Sequence, residues 1–182
     1  MNSNLSNKSF YQKTTKVAGM LFIFAVLLIS NSINSFSSDK KLPSVKVKNL
    51  KGETVSTDKF NNDGKPMIIN FWATWCKPCI LELNNINEDY AKWQKETGVK
   101  IIAISIDDSR NSKKVAPFVN GRGWEYEVYI DENSDFRRAL NVNNPPQTFL
   151  LDGKGNIVYS HNGYAPGDEK HLYEEVKKLI GK

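Results

Sequence analysis

The stretch NFWATWCKPCILEL, Asn70 to Leu83, decides how this chain reads. It holds both cysteines of the 182-residue sequence, Cys76 and Cys79, separated by Lys77 and Pro78. On its N-terminal side, PMIINFWA is a nearly continuous apolar run, the pattern of a strand covered on both faces. On its C-terminal side, Ile80, Leu83, Ile86, Asn87, Tyr90 and Trp93 recur at helical spacing, and Gly98 marks the stop. The two cysteines therefore fall in the first turn of a helix fed by a buried strand. Three residues apart, they share one helix face, with Cα atoms about 5–6 Å apart, inside disulfide range. Unpaired backbone N–H groups and the helix dipole favour an anion at the first cysteine, so its thiol should ionise more readily than a free one. Pro78 fits a first turn, where its missing N–H had no partner, and it stiffens the loop between the sulfurs. Trp72 and Trp75 supply flat apolar cover beside the pair.

A metal site built on the same pair would need two more ligands. The chain has no third cysteine, and its two histidines, His161 and His171, lie ten apart with no zinc-finger spacing to the pair. His161 falls on a predicted strand or turn and His171 on the last predicted helix, and both read as surface residues. The redox pair is the favoured reading, ahead of a metal site and of chance spacing.

Further out, VKVKNLKGETVS (45–56) alternates around Gly52 as a hairpin does, and NNDGKP is a turn. VKIIAISI (99–106) is a second buried-type strand. SRNSKKVAPFVNGRG predicts a short helix bent or delayed by Pro117. EYEVYID reads as a strand, and SDFRRAL as a short helix with Ser134 as N-cap. PPQTFLLD and NIVYSHNG are strands joined by the turn GKG. GDEKHLYEEVKKLIGK closes the chain as an amphipathic helix, acids early and lysines late, matching its dipole. The alternation predicts one α/β domain with a central mixed sheet.

The chain carries 25 basic and 20 acidic residues, a net charge of +5. Three of those basic residues, Lys8, Lys13 and Lys16, are the only charges before Asp39, which leaves 22 basic against 20 acidic residues for the rest. No basic stripe of the kind a nucleic-acid binder needs is visible. Val17 to Ile29 is an uncharged apolar run, preceded by the lysines and followed by SNSINSFSS. That order is the pattern of a secretory signal, and the run is shorter than the roughly 20 residues of a bilayer span. Residues 1–37 are thus expected to be a signal peptide or a membrane anchor, residues 38–44 a linker and residues 45–182 the folded domain. The domain is expected outside the cytoplasm, where disulfides form.

FWATWCKPC resembles the active-site strand and helix start of thioredoxin-like proteins. NNPPQTFLLDGKGNIV is similar to the strand pair that carries their cis-proline. The segment from Ile101 to Val142 resembles the helix–strand insertion of extracytoplasmic thiol–disulfide oxidoreductases of the TlpA/ResA type. The resemblance runs from about Leu42 to Lys182. It implies a thioredoxin-like fold, a mixed sheet flanked by helices with an N-terminal hairpin. It also implies that Cys76 attacks, that Cys79 resolves, and that Pro146 is the cis-proline opposite the disulfide, beside which an extended substrate can pair. Trp75, Pro145 and Pro146 then form the substrate surface. Pro145 has no N–H to offer a substrate, a departure that leaves only its carbonyl.

Asn70, Lys77 and Pro78 are expected to tune the pair, and Glu82 to act with it. Asn70 stands where cytoplasmic thioredoxins carry a buried aspartate, and an amide cannot take a proton at neutral pH. Glu82, one turn beyond Cys79, matches a glutamate of ResA-like proteins and is the expected proton acceptor for Cys79. Lys77 favours the Cys76 thiolate, in opposition to Glu82.

The expected activity is reduction of protein disulfides through the Cys76–Cys79 dithiol, with no cofactor beyond that redox-active disulfide. The expected partners are disulfide-bearing proteins (apocytochrome c by resemblance) and a membrane thiol donor, and the expected state is a monomer. Two alternatives differ in chemistry. A peroxide-reducing peroxiredoxin would place its cysteine after Pro-x-x-x-Thr-x-x, whereas IINFWATW lacks that proline. A thioredoxin-fold copper carrier would need a further, well-placed histidine.

Overall fold

The computed structural model describes residues 40–182. The leader expected over 1–37 lies outside the described residues. Backbone pairing begins at once: Ile157 N–H donates to the Lys40 carbonyl at 3.0 Å, and Lys41 bridges Asn156.

Seven strands form one mixed sheet: β1 (Lys46–Asn49), β2 (Thr54–Ser56), β3 (Met67–Trp72), β4 (Lys100–Ser105), β5 (Glu127–Ile130), β6 (Gln147–Leu151) and β7 (Ile157–Asn162). Their order is β2-β1-β5-β4-β3-β6-β7. The central strands β3, β4 and β5 run parallel, and β6 pairs antiparallel with both β3 and β7. Four helices connect or cover them: α1 (Lys77–Thr97), α2 (Val115–Asn120), α3 (Asp135–Ala139) and α4 (Asp168–Leu179). This is the thioredoxin-like α/β architecture expected from the sequence, with α2 and β5 as the inserted helix and strand.

Every residue of β3 is buried, as its unbroken apolar run requires. Its side chains alternate between two packed layers. Phe71 meets Phe136 of α3 and Phe149 of β6, with ring centroids 5.2 and 6.1 Å apart. Trp72 faces the opposite way, against Phe118 of α2 and Trp124 at 5.6 and 4.9 Å. Trp72 is therefore core rather than cover for the cysteines. On that second side α1 and α4 lie together, Trp93 stacking on Tyr173 with centroids 4.7 Å apart.

The helix boundaries have local causes. At the end of α1, Gly98 takes φ 69° and its N–H bonds the Gln94 carbonyl at 2.8 Å, a left-handed stop that glycine adopts without a Cβ clash. Residues Ser112–Lys114 form one 3-10 turn before α2, so the helix begins two residues before Pro117, where a missing N–H does no harm. Ser134 occupies the N-cap position expected for α3, but at φ 58° and with no capping bond from its side chain; the capping carboxylate is that of Asp131. That carboxylate accepts from the N–H groups of Phe136 (3.1 Å) and Arg137 (2.8 Å). The left-handed turn at Ser134 carries its hydroxyl away from the helix end and leaves the position to the longer reach of Asp131.

Candidate active site

β3 ends at Trp72, and the chain turns once before α1. Cys76 N–H bonds the Ala73 carbonyl at 3.0 Å, and Ile80 N–H bonds the Cys76 carbonyl at 3.1 Å. Cys76 is the N-cap residue of α1, and its sulfur accepts the Cys79 N–H at 3.3 Å. A helix N-terminus thus delivers a backbone donor and its dipole to this one sulfur, the physical basis of a depressed thiol pKa. Cys76 and Cys79 are joined as a disulfide with Cα atoms 5.3 Å apart. Cys76 is 5% exposed and Cys79 is wholly buried. Pro78 lies in the first turn, as expected. Lys77 and Pro78 are exposed, and Trp75 is the most open large side chain of the site at 61%.

The turn is fixed from beneath by Asp107, a buried residue just beyond β4. Its carboxylate accepts the Thr74 N–H at 2.9 Å and the Thr74 hydroxyl at 2.6 Å, and also the Ser105 hydroxyl at 2.8 Å. Neither Asp107 nor Thr74 was singled out by sequence reasoning. The available signal was an acidic residue directly following a buried strand.

Glu82 is not on a solvated face. It is 3% exposed, on the same inward side of α1 as Cys79 and Leu83. Asn70 Nδ2 donates to its Oε2 at 2.9 Å, and the Thr148 hydroxyl donates to its Oε1 at 3.0 Å. Asn70 Nδ2 also donates to Thr148 Oγ1 at 2.8 Å. These bonds follow from register: Asn70 of β3 lies directly opposite Thr148 of β6, so both side chains leave the same face of the sheet. Asn70 Oδ1 is buried with no partner among the described residues. Burial pushes the Glu82 carboxyl up to about 7, against the two hydrogen bonds that favour its charged form. Asn70 therefore holds the Glu82 carboxylate in place, and a carboxyl with a pKa of about 7 can take or release a proton near neutral pH.

The register that pairs Phe71 with Gln147 brings Pro146 to the end of the sheet where the cysteine turn emerges. The Pro145–Pro146 peptide bond is cis. Pro146 is buried and Pro145 half-buried, and the Pro146 carbonyl accepts the Gly163 N–H at 2.8 Å. Of the two histidines, His171 is exposed on α4, whereas His161 is part of β7 and pairs with Asp168 at 3.3 Å.

A strand–turn–helix with a buried second cysteine, a buried carboxylate behind it and a proline bend at the same sheet end defines a thioredoxin-like dithiol centre. The chain belongs to the AhpC/TSA family, whose profile matches residues 39–160, and it is a thiol–disulfide oxidoreductase. It is similar to thiol-disulfide oxidoreductase ResA of Bacillus thuringiensis subsp. konkukian, 34% identical over 140 residues that cover 77% of each chain. It is 34% identical over 144 residues to thiol:disulfide interchange protein DsbE of Haemophilus influenzae, covering 79% of this chain and 75% of that one. Among solved structures, an uncharacterized thioredoxin-like protein from Porphyromonas gingivalis is 55% identical, with a TM-score of 0.70, over 76% of this chain and 91% of that one.

Proposed function

We propose that this chain works outside the cytoplasm as a reductase of protein disulfides. Its leader pattern supports the location, and its ResA and DsbE relatives support the chemistry. The Cys76 thiolate attacks one sulfur of a substrate disulfide, forming a mixed disulfide and releasing the other substrate sulfur as a thiolate. Cys79 gives its proton to Glu82 and attacks Cys76. The Cys76–Cys79 bond forms, the mixed disulfide breaks, and two electrons have passed to the substrate. A membrane thiol donor then restores the dithiol. Trp75 and the Pro145–Pro146 bend form the docking surface, and Pro145 offers an extended segment its carbonyl. Apocytochrome c is the substrate implied by resemblance to ResA-like proteins.

The observation that carries the direction is the burial of Glu82. A carboxylate buried one helical turn beyond Cys79, when ionised, disfavours thiolate and so favours the disulfide, which makes the dithiol a better reductant. The opposing charge, Lys77, is exposed, and its influence is screened by water, whereas that of Glu82 is not. The test is the reduction potential of the Cys76/Cys79 couple in thiol redox buffers. A value near about −250 mV or lower is expected, and one near about −120 mV would make the protein an oxidant.

A further inference from the structure

The register that aligns Asn70 with Thr148 continues one strand further, where Thr148 lies opposite His161 of β7. Asn70, Thr148 and His161 therefore form a cross-strand row on one face of the sheet. Along β6 and β7, Tyr159 follows two residues away on that same face, opposite Leu150. Between this row and α4 is a cavity of about 140 Å3 lined by Glu82, Thr148, Tyr159, His161, Asp168, His171 and Leu172. A water needs roughly 10–15 Å3 of such space, so the cavity has room for several, and its lining offers polar groups to bond them. That lining includes both the buried carboxylate of Glu82 and the half-exposed His161–Asp168 pair.

We propose that His161, held by Asp168, is the positioning residue through which Glu82 exchanges its proton with solvent across this cavity. The proposal rests on the reductase reading above. Glu82 is a sealed base: both carboxylate oxygens are engaged by Asn70 and Thr148, and the residue is nearly inaccessible. Each resolving step leaves one proton on it, and that proton has to leave before the next turnover. His161 is suited to carry it. Its Nε2 lies 3.3 Å from Asp168 Oδ2, and Asp168 is kept ionised because its carboxylate accepts the Ala165 N–H at 2.7 Å and lies at the start of α4. Balance is simple: Cys79–SH gives its proton to Glu82, water in the cavity passes it to His161, and the imidazolium returns it to bulk solvent with no net change in the relay.

The groups facing Glu82 from each packed element are consistent with outward transfer. Asn70 and Thr148 on the sheet donate to the carboxylate, while Asp168 and Glu169 at the start of α4 raise its proton affinity. Tyr164, before α4, is bonded to Asn85 and to Glu169 at 2.6 Å each, and with Tyr159 it stays protonated, its phenol pushed up by burial. His171 borders the cavity from α4. His161 is the imidazole in that lining that pairs directly with a carboxylate, Asp168 at 3.3 Å, and an imidazole can both accept and donate a proton.

The test uses the full chain in its reduced form, mixed with excess Ellman's reagent. Attack by Cys76 releases one coloured thiolate, and resolution by Cys79 releases a second. At pH 6 and low buffer, where Glu82 must first shed a proton, His161→Ala is expected to slow the second release about tenfold and leave the first unchanged, since a lost proton-transfer group costs up to about 10²–10⁴-fold when nothing replaces it. Added imidazole should restore the rate. His161→Gln keeps a hydrogen bond to Asp168 but carries no proton, and should be as slow as His161→Ala. A second release at the wild-type rate in His161→Ala overturns the proposal, as does recovery in His161→Gln or a loss that imidazole does not repair. Failure of the wild-type protein to release any second thiolate would instead overturn the reductase reading and the relay with it.

Discussion

At Glu82 the sheet, the helix and the chemistry converge. A carboxylate poised near pH 7 by burial and held by an amide and a hydroxyl is, in the proposed mechanism, a base for Cys79 and a brake on thiolate formation at once. Glu82→Gln keeps the shape and removes both effects. The Cys76 thiol pKa is expected to fall, and the resolving step near pH 7 to slow by about 10- to 100-fold, read by thiol titration and by the lifetime of the mixed disulfide. An unchanged titration would separate the carboxylate from the pair. Cys76, Cys79 and Glu82 were all legible in the sequence because helical spacing ties them together. Thr148, Asp107 and His161 were not, because what unites them with the site is register between strands distant in the chain. The trace they leave is faint: Asn70 is a lone polar residue inside an apolar strand run, and Thr148 is a buried polar residue at the start of one. Such residues survive there only when hydrogen-bonded, and the chain's spacing cannot say to what.

Among the elements, strands and the long helix followed their patterns closely, since unbroken apolar runs and a 3.6-residue period encode burial directly. The short helices α2 and α3 were located, α3 with its start just after Ser134 but α2 without its start at Val115. A five-residue helix such as α3 has almost no period, so its boundary is set by whichever side chain reaches its free N–H groups. Here that is Asp131, two residues of loop and one left-handed turn away from Ser134. Asp131 is buried and satisfies two backbone donors, so Asp131→Ala should cost about 1–2 kcal/mol, measured as a lower urea midpoint at constant slope. Ser134→Ala should cost far less.

For the whole molecule, the same carboxyl makes stability depend on pH in an unusual direction. Its folded pKa, about 7, stands above the ordinary value of 4.5. Between these the folded protein holds a proton that the unfolded chain releases. The corresponding stability is complete below about pH 4.5 and is lost as pH rises through 7. The full loss is about 3 kcal/mol, at 1.36 kcal/mol per unit. The carboxylates shifted the other way, Asp58, Glu96, Asp152, Asp168 and Glu169, act only at more acid pH. Oxidised wild-type protein is therefore expected to be more stable at pH 5 than at pH 8 by urea unfolding, and Glu82→Gln to lose most of that difference. An equal difference in the variant would place its source elsewhere. Keeping an ionisable group in the core at this cost is the pattern of a site retained for function.

The pairing of Cys76 with Cys79 accounts for all the sulfhydryl chemistry of the chain, which has two cysteines and no other. Its redox state is thus a single binary variable, open or closed, with no third thiol to scramble with and no partly oxidised isomers. Intramolecular mispairing is therefore closed to this chain, whatever disulfides its partners carry.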